Sequence, residues 1–164
     1  MIGVQFNVGK TRDALRAAIE QLEDMTPVYE DIGEYMVGAT KDRFQTGTAP
    51  DGSKWAPKSE ATLARYKRLG YGNLSKALKG PSGRLSNEIL RFVSRDGVVI
   101  GSSLIYSRVM QDGAAKGEFG NDARGNPIPW GRIPARRWLG ISAEDATNIV
   151  DIVEEHLGRT LDAS

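Results

Sequence analysis

A switch in hydrophobic period does most to constrain what this chain can fold into. From Leu85 onward, Ile89, Arg91 and Val93 alternate with Glu88, Leu90 and Phe92; Asp96-Gly97 supplies turn chemistry, and Val98-Val99-Ile100 follows. Successive side chains of a strand point to opposite faces, so two period-two runs joined by Asp-Gly predict a β-hairpin over residues 86–102. Apolar residues occupy both faces, which predicts a sheet covered on both sides.

Around this hairpin the period is helical. Leu15, Ala18, Ile19 and Leu22 fall on one stripe and predict a helix over 11–24, with Thr11 as its cap. Thr26-Pro27 restarts the chain as cap and first helical residue, and Val28, Ile32, Tyr35, Met36, Ala39 and Phe44 carry an amphipathic helix over 27–44. Ser59 caps a third helix bearing Leu63, Tyr66 and Leu69, and Ile105, Tyr106, Val109 and Met110 predict a short one ending at Gly113. Ser142 with Asp145 three residues on has the form of a capping box, and Ala146, Ile149, Val150, Val153 and Leu157 mark a last helix over 143–158. Ile2, Val4, Phe6 and Val8 alternate as a strand does. The expected fold is α+β, a small antiparallel sheet packed against amphipathic helices. At 164 residues it forms a single domain, 1–164.

Three connections, near 45–57, 70–83 and 114–131, are rich in Gly, Pro, Asp, Asn and Ser and are expected to be mobile loops. Trp55, beside Pro57, is expected to pin the first of them to the core. The stretch Arg132-Ile133-Pro134-Ala135-Arg136-Arg137-Trp138-Leu139-Gly140 reads as a rigid connector. Pro134 biases Ile133 toward extended geometry, Trp138 and Leu139 anchor the segment, and Gly140 releases the chain into the capped final helix.

Charge is segregated along the chain although the formal net charge is only +1. Residues 1–53 carry nine acidic side chains against five basic, 54–79 seven basic against one acidic, and 141–164 six acidic against one basic. Acidic ends and a basic middle suit self-complementary assembly or an anionic partner on one face.

Catalytic chemistry finds little to stand on. There is no cysteine, which excludes disulfides, thiolate chemistry and cysteine zinc sites. His156 is the only histidine, and neither His-Glu-x-x-His, Gly-x-Ser-x-Gly, a dinucleotide fingerprint nor a Walker loop occurs. Glu154 and Glu155 are sequence neighbours, whose side chains diverge on a helix rather than forming a carboxylate pair. The expectation is no enzyme, no catalytic or metal residues and no cofactor. No apolar run approaches the ~18 residues that span a bilayer, and Met1 to Val8 lack a basic region followed by a secretory core, so no membrane partner and a cytoplasmic site of synthesis are expected.

The order of features resembles the phage virion morphogenesis proteins, also called tail-completion proteins, of Mu-like and P2-like contractile-tailed phages. The residues that carry the resemblance are Arg43-Phe44, Pro50-Asp51-Gly52 with Trp55 and Pro57, and Gly83-Arg84-Leu85. Further on they are Val99-Ile100-Gly101, Tyr106, Met110-Gln111-Asp112-Gly113, Ile133-Pro134-Ala135-Arg136 and Trp138-Leu139-Gly140-Ile141. Lys79-Gly80-Pro81-Ser82 departs from the pattern, lacking the threonine expected before Gly-x-Leu.

The resemblance implies a non-enzymatic structural protein of the phage neck that acts in tail completion or head-tail joining. It implies a ring of copies, commonly six, meeting connector, neck, tail-tube or terminator proteins around a channel that passes DNA. The site of action would be the host cytoplasm during assembly and then the neck or tail end of the virion. The alternatives are a capsid or head assembly factor and a DNA-binding accessory protein. Residues expected to meet a neighbour are Arg132, Arg136, Arg137 and Trp138 in the connector, with Trp55, Arg65, Lys67 and Arg68 from the basic middle.

Overall fold

The computed structural model describes residues 24–162 other than Asn73, together with positions 9, 12, 13, 15, 16 and 19. The strand expected over 2–8 and most of the helix expected over 11–24 lie outside the described residues. The described elements are α1 (Thr26–Thr46), α2 (Glu60–Arg68), α3 (Arg84–Asn87), β1 (Leu90–Ser94), β2 (Gly97–Gly101), α4 (Ser107–Asp112) and α5 (Ala143–Asp162). No helix among the described residues is long and apolar enough to cross a membrane.

α1 is the axis against which the rest is arranged, touching both strands, α3 and α5. Its start differs from the sequence expectation. Met25 occupies the cap position, Thr26 is already helical, and the Thr26 N–H donates to Asp24 Oδ1 at 3.1 Å. Asp24 therefore takes the role assigned to the Thr26 hydroxyl, because a carboxylate just outside the helix can reach an N–H that has no partner inside it. Pro27 sits in the first turn, where its missing N–H costs nothing. Gly47, with φ of 71°, ends the helix by turning its N–H back to the Arg43 carbonyl at 2.7 Å.

The sheet is the expected antiparallel hairpin, trimmed at its start. Leu90 pairs with Gly101, Phe92 with Val99 and Ser94 with Gly97, so Arg95-Asp96 form the two-residue turn. Ser86 and Asn87, expected in the first strand, belong instead to the single turn of α3. That turn buries Leu85, and Ile89 is buried just before β1 begins. The inner face carries Arg91, Val93, Val98 and Ile100 toward α1. The approach is close at Gly33, where a Cβ would stand 3.0 Å from both Arg91 Cδ and Val98 Cγ2.

Among the described residues nothing covers the other face, whereas its apolar pattern predicts cover. Leu90, Phe92 and Val99 are 54%, 72% and 68% exposed. Alternation fixes which side chains share a face but not what covers that face.

The main core lies beyond the hairpin, at the C-terminal end of α1, and draws more on loops than on regular elements. Phe44, Ala49, Trp55, Leu85, Ile89, Leu104 and Trp138 form one buried cluster, with Val37, Leu78, Ile100, Met110 and Leu139 at its margin. Phe44 meets Trp55 edge-on, with ring centroids 5.3 Å apart, and Trp138 at 6.0 Å. Buried aromatic rings in such arrangements contribute both apolar area and oriented ring contacts. Trp55 thus joins the core, and its loop is closed by bonds from Trp55 N–H to Gly47 O (3.0 Å) and Ala49 N–H to Ser53 O (2.8 Å).

Residues 114–133 double back as an irregular ribbon. Ala114 and Ile133 exchange backbone bonds at 2.8 and 2.9 Å, and Phe119 N–H donates to Ile128 O at 2.8 Å. α4 ends at Gly113 as expected, with φ of 78°. A Cβ there would stand 2.7 Å from Ala135 N and Ile133 O, so only glycine lets the returning strand of the ribbon pass.

Candidate assembly interface

The connector after Arg132 is held by bonds to two parts of the chain, α4 and the loop that carries Trp55. Arg136 N–H donates to Met110 O at 2.9 Å. Gln111 Oε1 accepts from Trp138 N–H (2.9 Å) and Leu139 N–H (3.0 Å), while its amide donates to Leu139 O at 2.8 Å. Trp138 Nε1 donates to Ser107 O at 3.2 Å, and Trp55 Nε1 donates to Arg137 O at 2.9 Å. An extended segment cannot satisfy its own backbone, so each bond to a neighbour fixes its path.

The connector then delivers α5 onto α1. Ser142 N–H donates to Asp145 Oδ2 at 2.6 Å and Asp145 N–H donates to Ser142 Oγ at 3.0 Å, the reciprocal pair the sequence predicts. The same carboxylate is buried, paired with the Arg43 guanidinium, and accepts from the Tyr35 hydroxyl at 3.0 Å. Arg43 also donates to Gly140 O at 2.8 Å. Burial alone would raise the Asp145 pKa, but the Ser142 backbone and hydroxyl, the Arg43 charge and the Tyr35 hydroxyl outweigh it and hold the group below its ordinary value.

A groove of about 540 Å³ opens between α2, the 78–85 turn, α4 and the connector. Tyr66, Leu78, Leu85, Tyr106, Met110 and Pro134 give it apolar walls. Lys58, Lys79, Arg84, Arg132 and Arg136 give it cations, and no carboxylate is among the lining residues. Lys58 Nζ donates to the Leu74 and Lys79 carbonyls and lies 4.8 Å from the centre of the Tyr66 ring. Its burial and the nearby Arg136 charge pull its pKa down. Burial does the same to Arg136, whose Nε and Nη2 donate to Ala56 O at 2.7 Å and Pro57 O at 2.8 Å.

A second cleft, of about 580 Å³, lies between α1 and α5 and has the opposite character. Glu34, Asp42, Glu144 and Asp145 line it, with Arg43 as its one cation. Segregation along the sequence has become segregation in space.

The structure divides the expected contact residues. Trp55, Trp138 and Arg136 are buried within this chain, where the rings fill its core and the guanidinium ties the connector to residues 56 and 57. Arg132 and Arg137 are exposed, Arg132 on the groove wall and Arg137 outside it. Arg65, Lys67 and Arg68 are exposed on α2 and do not line the groove. Sequence reasoning missed the Arg43-Asp145 pair, although the capping box had already singled out Asp145. It also missed Gln111 as the clamp on the connector and the uncovered outer face of the hairpin.

Neither curated proteins nor solved structures give a match to the chain. The description of the phage virion morphogenesis family matches residues 6–158, so the chain belongs to that family.

Proposed function

We propose that the protein is a non-enzymatic structural component of the phage neck, acting in tail completion or head-tail joining as a ring of copies. The observation that carries this reading is the uncovered hairpin face. α1 packs on the inner side of the sheet and gives the hairpin the support a two-stranded sheet needs, yet among the described residues nothing covers the apolar side chains of Leu90, Phe92 and Val99 on the other side. Exposed apolar patches of this kind mark protein contacts. A ring requires each copy to join two different patches, and the basic groove and the acidic last helix, α5, offer unlike surfaces for such a head-to-tail contact.

Electron microscopy of particles made without this protein tests the placement. Full heads accumulating beside unjoined tails are the expected result, whereas loss of heads would move the protein to capsid assembly. One observation favours a DNA-binding accessory role, the exposed cluster of Arg65, Lys67 and Arg68 on α2. Under that reading duplex affinity falls steeply with salt, because phosphate contacts release counterions.

A further inference from the structure

We propose that the cationic groove between α2, α4 and the connector receives the acidic outer face of α5 from a second copy of this chain. The inference rests on the self-assembly proposed above and names the two surfaces that meet.

The groove combines features that call for a particular occupant. Its apolar walls favour a side chain that leaves water, and no carboxylate is among the described lining residues; of its cations, Arg84 is already paired with Glu88 at 2.7 Å, which leaves Lys58, Lys79, Arg132 and Arg136. Arg136 is only 8% exposed and among the described residues its guanidinium is met by carbonyl oxygens and by no carboxylate, so the site holds positive charge that these residues do not neutralise. Lys79 and Arg132 are exposed on its rim, and neither side chain forms a hydrogen bond or ion pair among the described residues.

α5 presents the complement. Its inner side is committed to α1 through Asp145 and through Asn148, whose amide donates to the Tyr35 hydroxyl at 2.7 Å. Its outer side carries Val150, 52% exposed, beside Asp151, with Glu154 one turn on. Residues four apart on a helix lie on one face, so Val150 and Glu154 form a ridge that is apolar at one end and acidic at the other, with Asp151 beside it. Neither Asp151 nor Glu154 pairs with a cation among the described residues. No residue of α5 lines the groove of its own chain, so donor and acceptor surfaces are distinct and the contact is heterologous, as a closed ring demands.

The test uses two full-length charge-reversal variants, Lys79→Glu/Arg132→Glu and Asp151→Lys/Glu154→Lys, followed by native mass spectrometry and sedimentation. Each alone is expected to self-associate at least tenfold more weakly than the parent chain while keeping its thermal melt. Mixed one to one they are expected to assemble again, because each reversed surface now faces its opposite. Parent-like assembly of either variant alone, or a mixture that stays monomeric, overturns the proposal. If the groove variant assembles normally but loses salt-sensitive binding to a 20-base-pair DNA duplex, the groove is a nucleic-acid site and the proposal also falls. A parent chain that stays monomeric at every concentration removes the ring reading together with this one, an outcome distinct from failure of the groove alone.

Discussion

At the scale of single residues, Asp145 ties the start of α5 to α1. It caps α5, pairs with Arg43 on α1 and accepts from Tyr35. Its folded pKa lies below the ordinary 3.8. A carboxyl group depressed in this way stabilises the fold above its unfolded pKa, and that contribution is lost as pH falls through 3.8 toward the folded value. Denaturation followed at a series of pH values should therefore show stability dropping below about pH 4, with a shallower drop in Asp145→Asn. Replacing Arg43 with Met at neutral pH leaves the buried carboxylate without its cation and should cost about 3 kcal/mol or more, measured by urea unfolding. An Arg43→Met chain as stable as the parent would mean the pair is not holding α5 to α1. The local half of this arrangement was legible, because Ser142 and Asp145 are three residues apart. The other half was not, because Arg43 is 102 residues from its partner and no periodicity reports a contact at that separation.

At the scale of elements, α1 and the hairpin meet through the smallest side available. Gly33 faces Arg91 and Val98 with no room for a β-branched residue, whereas a Cβ at Gly38, on the exposed side of the same helix, meets nothing within 4 Å. The two glycines should respond with opposite sign. Gly33→Val should destabilise by roughly 1–3 kcal/mol through overpacking, while Gly38→Ala should stabilise by about 0.5–1 kcal/mol by removing backbone freedom from a helix interior. Thermal melts of both variants check this, and equal shifts would show that the helix and sheet are not in close contact. The hairpin, α1, α2, α4 and α5 were each legible because period and caps are local signals. What covers each face was not, since the same alternation in Leu90, Phe92 and Val99 serves a buried sheet and one waiting for a neighbour. Ser86 and Asn87 were misplaced in the strand for a related reason: Leu85 and Ile89, four residues apart, satisfy a helical turn as well as an alternating run.

At the scale of the whole molecule, the surfaces left for assembly are narrower than the run of basic residues suggests. Arg136 is buried and holds the connector, so reversing its charge damages the subunit before it can report on any contact. The exposed outer sheet face is the cleaner probe. Phe92→Asp should leave the unfolding free energy of the isolated protein nearly unchanged, within about 0.5 kcal/mol, and should weaken self-association measured by sedimentation; unchanged association would remove that face from the interface. The long-range stitching of the core carries a consequence for synthesis. Trp55 reaches Arg137 across 82 positions and Arg43 reaches Asp145 across 102, so the rings of Phe44 and Trp55 lack the cover of Trp138 until the connector exists. A nascent chain halfway out of the ribosome exposes these aromatic rings. Because closing such long loops must precede the contacts that reward it, the protein completes its core only after most of the chain has been translated.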